Sequence, residues 1–334
     1  MIGAPLVLTC GEPAGVAPEI TARAWVELHT SHAHRFFLIG DIEDHAARMQ
    51  AAGLDIPLKA ISAPQEAQKI FERALPVLHV PLAKASRPGW IDTRNSQIVI
   101  DVIAAAADFC LAGTASGMVT NPIHKDALYS VGFKHQGHTD FLAAFARLRG
   151  HEAQDVMMLV APGLRAVPIT VHIPLKDVAA QLTSEAIVTQ ALVVQQGLRR
   201  YFGIAKPRIA VTGLNPHAGE NGAIGDEEQR VIRPAIQALA AQGMVITGPV
   251  SADTAFHAEA RAGYDAILCM YHDQALIPVK TLDFHGGINV TLGLPFIRTS
   301  PDHGTALDLA GTGNARPDSL IAALKLAAEM AERG

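Results

Sequence analysis

The chain has 334 residues, 49% of them hydrophobic and 18% charged, with a formal net charge of -5 at pH 7. That length accommodates two domains of ordinary size or one large two-lobed unit, and a charge content below the usual quarter or so of soluble domains points to a buried subunit interface. An acidic balance with only 5% aromatic residues excludes a nucleic-acid partner, which needs a basic stripe and stacking platforms, and leaves a small molecule.

No apolar run approaches the ~20 residues that span a bilayer, so no membrane is expected, and residues 1–5 lack the basic start of a secretory signal. Cys10, Cys110 and Cys269 are odd in number and far apart, forming neither a disulfide framework nor a metal-binding pair, so the expected compartment is the reducing cytoplasm.

Along the chain, short apolar or β-branched runs alternate with amphipathic stretches, the pattern of an α/β protein with a largely parallel sheet. Strands are predicted over 6–9, 36–39, 77–80, 118–120, 156–160, 167–171, 209–212, 266–270 and 288–291. The clearest helices are predicted over 18–28, with Pro18 in the first turn, then 96–111, 184–201, 227–241 and 319–331. Pro234 should start or kink the fourth of these. No repeat, low-complexity segment or long linker divides the chain, so a two-lobed division must be interleaved. The expected division sets residues 1–133 with 305–334 as a first α/β/α domain and 134–304 as a second.

Three histidines each fall where an apolar run breaks into a Pro- or Asp-bearing loop: His172, His217 and His272. Neutral imidazole is a common ligand of borderline-soft divalent cations, and three of them leave a coordination position open for substrate. Their spacing is too wide for a local zinc knuckle, so they can meet only if separate strands end at one edge of a sheet, where open α/β sheets bind ligands. Any one of the 15 histidines taken alone is more simply a solvated or hydrogen-bonded side chain.

The turn 11–15, GEPAG, joins a strand to a helix but lacks the spacing of a Rossmann turn or a P-loop. NPIHK at 121–125 also follows a strand, and His138 and Thr139 open a helix, a setting made for an anion unless Thr139 or Asp140 merely caps it. Lys280, Asn289 and Arg298 punctuate an apolar stretch; a lysine and arginine facing a cleft would hold phosphate or carboxylate, although such cations usually snorkel to the surface. With a metal and an anion-binding helix start, they point to a phosphorylated acid. The glycine-rich segment 302–313 permits close backbone approach to a bulky ligand.

Together with TVHIPL at 170–175, GLNPHAGE at 213–220, ADT at 252–254, MYHDQ at 270–274 and the unbroken run 287–311, these strings make the chain resemble the 4-hydroxythreonine-4-phosphate dehydrogenases of pyridoxal 5'-phosphate biosynthesis over nearly its whole length. The resemblance implies a fold like that of isocitrate and isopropylmalate dehydrogenases, two α/β/α domains with a cleft, and a homodimer whose active sites use both subunits. The second domain would carry the metal ligands and the dimer interface. It implies NAD- or NADP-dependent oxidation of 4-phosphohydroxy-L-threonine to 2-amino-3-oxo-4-phosphooxybutanoate, which loses carbon dioxide to give 3-amino-2-oxopropyl phosphate.

By matched position, His172, His217 and His272 would bind one divalent metal, zinc before magnesium or cobalt. His138, Thr139, Lys280, Asn289 and Arg298 would contact substrate. Asp253, Asp273 and Lys280 would serve catalysis. His303, Gly304, Thr305, Ala306, Asp308, Gly311 and Gly313 would hold the nucleotide. The chain departs from the family's usual pattern at Cys10, Val16-Ala17, Asn121 and Arg316. The rival readings are a sister dehydrogenase acting on threonate or erythronate 4-phosphate or on a carboxylated dihydrodiol, a metal-dependent hydrolase, and a metabolite-binding protein without catalysis.

Overall fold

The computed structural model describes residues 3–334. Its strands are, in chain order, β1 (Leu6–Thr9), β2 (Phe36–Gly40), β3 (Leu58–Ile61), β4 (Leu75–His79), β5 (Met118–Val119) and β6 (Val156–Ala161). They continue as β7 (Leu164–Thr170), β8 (Arg208–Thr212), β9 (Val245–Val250), β10 (Ala266–Tyr271), β11 (Ile288–Leu292) and β12 (Arg298–Pro301). The chain divides into two compact units, Met1–Asp155 with Leu294–Glu332, and Val156–Gly293 with Arg333–Gly334. The protein is thus of the α/β class.

The first unit orders its strands β3-β4-β2-β1-β5-β12, all parallel. Its central strands β1 and β2, LVLT and FFLIG, are buried at every position, the continuous apolar reading expected of a parallel sheet covered on both faces. The second unit orders its strands β11-β6-β7-β10-β8-β9. There β6 pairs antiparallel with both β11 and β7, and the rest are parallel. Each unit has its own core, one around Phe37, Val102, Ile103 and Leu142, the other around Leu159, Ala166, Ile267 and Val279.

The division lies elsewhere than the predicted boundaries at 133/134 and 304/305. The helix His138–Leu148 packs Leu142, Ala143 and Ala146 into the first unit's core, and Leu294 and Phe296 enter the same core. Burial of those apolar faces places both segments with the first unit.

Three strands were not predicted. β3 and β9 lie at sheet edges, half-exposed, and β9 contains Gly and Pro, which weaken a strand signal. β12 is buried throughout yet reads Arg-Thr-Ser-Pro, with no apolar run to find. The predicted helix 227–241 is a π turn, Glu228–Ile232, followed by the α-helix Arg233–Ala241. Pro234 sits in that helix's first turn, where its missing N–H costs nothing.

Candidate functional site

In the second unit, His172 follows β7 and His217 follows β8, both in loops, whereas His272 opens the helix His272–Leu282 directly after β10. The expectation of a loop at His272 is thus corrected. The His172 and His272 rings lie 5.7 Å apart between centroids, at an interplanar angle of 42°. A ring nitrogen ~2.0–2.1 Å from zinc puts its ring centroid about 3 Å from the ion, so two tetrahedral imidazole ligands sit roughly 5 Å apart. The observed pair fits two ligands of one cation. His272 Nδ1 donates to Asp273 Oδ1 at 2.7 Å, which leaves Nε2 as its ligating atom and fixes the ring's orientation from behind.

His217 is held differently. It begins a run of left-handed backbone, with φ of 51° at His217 and positive values through Asn221. The buried carboxylate of Glu228 braces this loop, accepting from Leu214 N at 2.8 Å, Asn215 N at 2.7 Å and Asn215 Nδ2 at 3.0 Å. His172 also has φ of 51°. Non-glycine residues in such conformations cost of order 1–3 kcal/mol and persist where surrounding structure enforces them, often at ligand clamps. Among the described residues, no group of three or more His, Cys, Asp or Glu side chains is gathered as a metal site. One chain brings His172 to His272 and sets His217 beside Asp253 instead.

Asp253 is exposed, and the Ser251 hydroxyl donating at 2.5 Å, with His217 nearby, holds its carboxyl below the usual range. A cavity of about 220 Å³ opens beside the histidine pair, lined by Thr170, His172, Ile173, Tyr271, His272 and Asp273, with Leu175 and Val178. Lys280 lies two turns along the His272 helix, its ammonium 5.5 Å from the Phe284 ring centroid. Asn289 on β11 has an enclosed Oδ1 without a hydrogen-bond partner.

In the first unit, Arg298 on β12 is 2% exposed and donates through Nη2 to Thr120 Oγ1 at 2.7 Å. Burial lowers its guanidinium to about 9, which leaves it charged at neutral pH. His138 and Thr139 start the helix His138–Leu148. Burial first, then Arg298 and Lys125, hold the His138 imidazole well below its ordinary range, so it is neutral at pH 7. Its Nε2 is enclosed and has no hydrogen-bond partner. A buried cation beside a polar atom lacking a partner is a site shaped for an anion rather than a finished core.

Lys125, which the sequence offers only within the NPIHK string, also reaches this helix start: a Cβ on Gly137 would stand 3.7 Å from its Cε. Asp140 does take a local role, accepting from Gln136 N at 3.1 Å and pairing with His135 at 3.2 Å.

The segment 303–313 is held by the start of the helix Ala17–Leu28, directly after the GEPAG turn. Val16 N donates to Thr305 O at 3.0 Å, and the buried Glu19 carboxylate accepts from Gly311 N and, at 3.3 Å, from Gly313 N. Arg48 donates to Pro13 O and, at 2.8 Å, to Gly15 O, bracing the turn from below. Glu12 accepts from Ala14 N at 3.0 Å, and burial raises its carboxyl. Gly304 has nothing within 4 Å of where a Cβ would stand, and Asp308 and His303 are exposed, so the segment turns open backbone and polar side chains outward. These features fit a dinucleotide, whose diphosphate approaches bare backbone and whose ribose hydroxyls seek a carboxylate.

The family model described as pyridoxal phosphate biosynthetic protein PdxA matches residues 32–327. A 4-hydroxythreonine-4-phosphate dehydrogenase of Bradyrhizobium diazoefficiens is 50% identical over 335 residues, spanning 98% of this chain and 97% of the relative. The crystal structure of 4-hydroxythreonine-4-phosphate dehydrogenase from Klebsiella pneumoniae superposes with a TM-score of 0.88 at 36% identity, covering 99% of this chain and 98% of that one. A terephthalate 1,2-cis-dihydrodiol dehydrogenase from Burkholderia xenovorans is more distant, at 26% identity and a TM-score of 0.65 over 98% of each chain.

Proposed function

Given that the chain belongs to the 4-hydroxythreonine-4-phosphate dehydrogenase family of pyridoxal phosphate biosynthesis, we propose how its own residues divide the work. It is an oxidoreductase that takes 4-phosphohydroxy-L-threonine to 2-amino-3-oxo-4-phosphooxybutanoate, which decarboxylates to 3-amino-2-oxopropyl phosphate. The hydrolase and pure binding alternatives fall away with family membership. The carboxylated-dihydrodiol alternative is disfavoured by identity, 26% against 50%.

Arg298 and Lys125 receive the anionic end of the substrate, with neutral His138 and Thr139 at the helix start completing its hydrogen bonds. Asn289 supplies an acceptor that is already desolvated, so a substrate donor there relieves a penalty of ~1–3 kcal/mol. Lys280 and Asp253 supply charge near the reacting carbon. Asp273 orients His272 through Nδ1 and acts as a positioning residue. His172, His217 and His272 would hold a divalent cation, which would supply a Lewis acid for the C3 hydroxyl, and segment 303–313 would hold the nicotinamide cofactor, which would supply the hydride acceptor. Three imidazoles favour zinc over the oxygen-seeking magnesium, with cobalt as the nearest substitute. The exposed Asp308 repels a 2'-phosphate, which favours NAD over NADP. Three cysteines without disulfides suit a reducing cytoplasm, and no described helix is long and apolar enough to cross a membrane.

The observation that supports the metal assignment is the ring pair His172 and His272 with Asp273 behind it; in this reading His217 of a second copy in a homodimer supplies the third ligand. The test is subunit complementation. Inactive His217→Ala and His172→Ala proteins, mixed under conditions that exchange subunits, should regain activity, because one site of the heterodimer collects both lesions and the other neither. His172→Ala mixed with His272→Ala should stay inactive. Failure of the first mixture, with heterodimers shown independently, would reject the shared site.

A further inference from the structure

The chain has two tryptophans, and they are built oppositely. Trp25 is 5% exposed, with its indole N–H donating to Phe71 O at 2.9 Å, whereas Trp90 is 66% exposed. An indole offers more apolar surface than almost any side chain, so one held out in water wants a reason.

Trp90 is not on a loose loop. It ends the turn Arg87-Pro88-Gly89-Trp90, closed by Trp90 N donating to Arg87 O at 3.0 Å. Pro88 sits at the second position and Gly89, with φ of 74°, at the third, as a type II turn requires. Ser86 just before it is pinned on the side chains of the helix Ile42–Ala51. The Asp44 carboxylate accepts from Ser86 N at 2.6 Å and from its hydroxyl at 2.8 Å, and Arg48 donates to the same hydroxyl at 3.1 Å. Gly89 N donates to Ala14 O at 2.9 Å, tying the turn to GEPAG as well.

The turn also abuts the segment 303–313 at two places. A Cβ on Gly89 would stand 3.0 Å from Leu307 O, and one on Gly311 would stand 2.8 Å from Pro88 Cβ. Only glycine fits either contact. The Arg87 guanidinium lies over the Trp90 ring, 5.3 Å from its centroid, covering part of the indole and adding a cation–π contact that steadies it.

We propose that Trp90 is the platform on which the adenine ring of the nicotinamide cofactor stacks. This rests on reading 303–313 as the dinucleotide segment. A dinucleotide lying on that segment carries two flat rings. The ring that exchanges hydride must be shielded from water, so the ring that meets an indole two-thirds in solvent is the adenine. Stacking tolerates such exposure and needs only a rigid, correctly placed flat face. Pinning by Asp44, Arg48 and Ala14 provides that rigidity.

The test uses calorimetric titration of the wild type, Trp90→Phe and Trp90→Ala with NAD and with its two halves, ADP-ribose and nicotinamide mononucleotide. Trp90→Ala should weaken NAD and ADP-ribose about 5- to 150-fold and leave the mononucleotide unchanged, while Trp90→Phe stays within about threefold of the wild type. In parallel, ADP-ribose should quench a part of the intrinsic fluorescence that Trp90→Phe, with only Trp25 left, no longer shows. Equal ADP-ribose affinity in the wild type and Trp90→Ala overturns the platform alone. So does a Trp90→Ala protein that changes its oligomeric state but not its nucleotide affinity, since that makes the indole a protein contact. A wild type that binds neither NAD nor ADP-ribose overturns the dinucleotide reading and the platform with it.

Discussion

The proposed anion-binding corner of the first unit and the proposed metal-binding histidine set of the second are built on opposite principles. Arg298 is enclosed and hydrogen-bonded, and neutral His138 stands beside it with a desolvated nitrogen. His172 and His217 are exposed, on left-handed backbone, with no third ligand gathered around the His172 and His272 pair among the described residues. A site that binds by charge must be dry before the ligand arrives, because the strength of an ionic hydrogen bond comes from excluding water. A site that binds a cation can remain open, since the ion itself draws ligands together. On the proposed assignment, folding of one chain would complete the first kind, while the second would need the cation and a second copy.

The sharpest way to break this contrast is His272→Ala. Losing an outer partner of a metal ligand typically costs 10- to 100-fold in affinity, so losing the ligand should cost more than about 100-fold. Elemental analysis after dialysis reads this directly, and full metal retention would remove His272 from the site. On the other side, Arg298→Ala removes a charge-assisted contact worth about 2–3 kcal/mol, so KM for the phosphorylated substrate should rise roughly 30- to 150-fold. Arg298→Lys, which keeps the charge but not the Nη2 hydrogen bond to Thr120, should fall between. Unchanged KM in Arg298→Ala would mean the buried cation is structural.

The smallest expected effect is on pH dependence of stability. His138 titrates lower in the folded chain than its ordinary value of 6.5. Below that ordinary value the unfolded chain takes up a proton the folded chain refuses, so stability falls as pH drops, by at most about 1.4 kcal/mol per pH unit until the folded imidazole also protonates. Above it the group contributes no pH dependence. Denaturation midpoints of the wild type and His138→Gln, measured between pH 7 and 5, should diverge, with the wild type losing more; parallel curves would show that His138 is not desolvated.

Much of this was legible from residue order. β1 and the helix Ser96–Leu111 were predicted at the bounds observed, because buried apolar runs and helical periodicity write themselves plainly. The His272 helix was not, since Tyr271 gives it no side-chain cap and Pro278 lies in its interior. The braces Glu19, Arg48 and Glu228 were equally hidden. Each is a charged residue on a helix or turn, indistinguishable in sequence from a solvated one, and its role depends on backbone N–H or C=O groups as far as 294 positions away. Pattern reading finds side chains that contact their neighbours along an element and misses those whose partner is the backbone of a distant loop.

The reach of Glu19 also sets a timetable. Its carboxylate ties the first helix to Gly311 and Gly313 across almost the whole chain, and β12, which completes the first unit's sheet, spans only Arg298–Pro301. During synthesis, which delivers ~5–20 residues per second, the body of the second unit, Val156–Gly293, is finished before β12 leaves the ribosome. The unit that holds β1 is therefore the one whose sheet closes last, after the body of the other unit has been made.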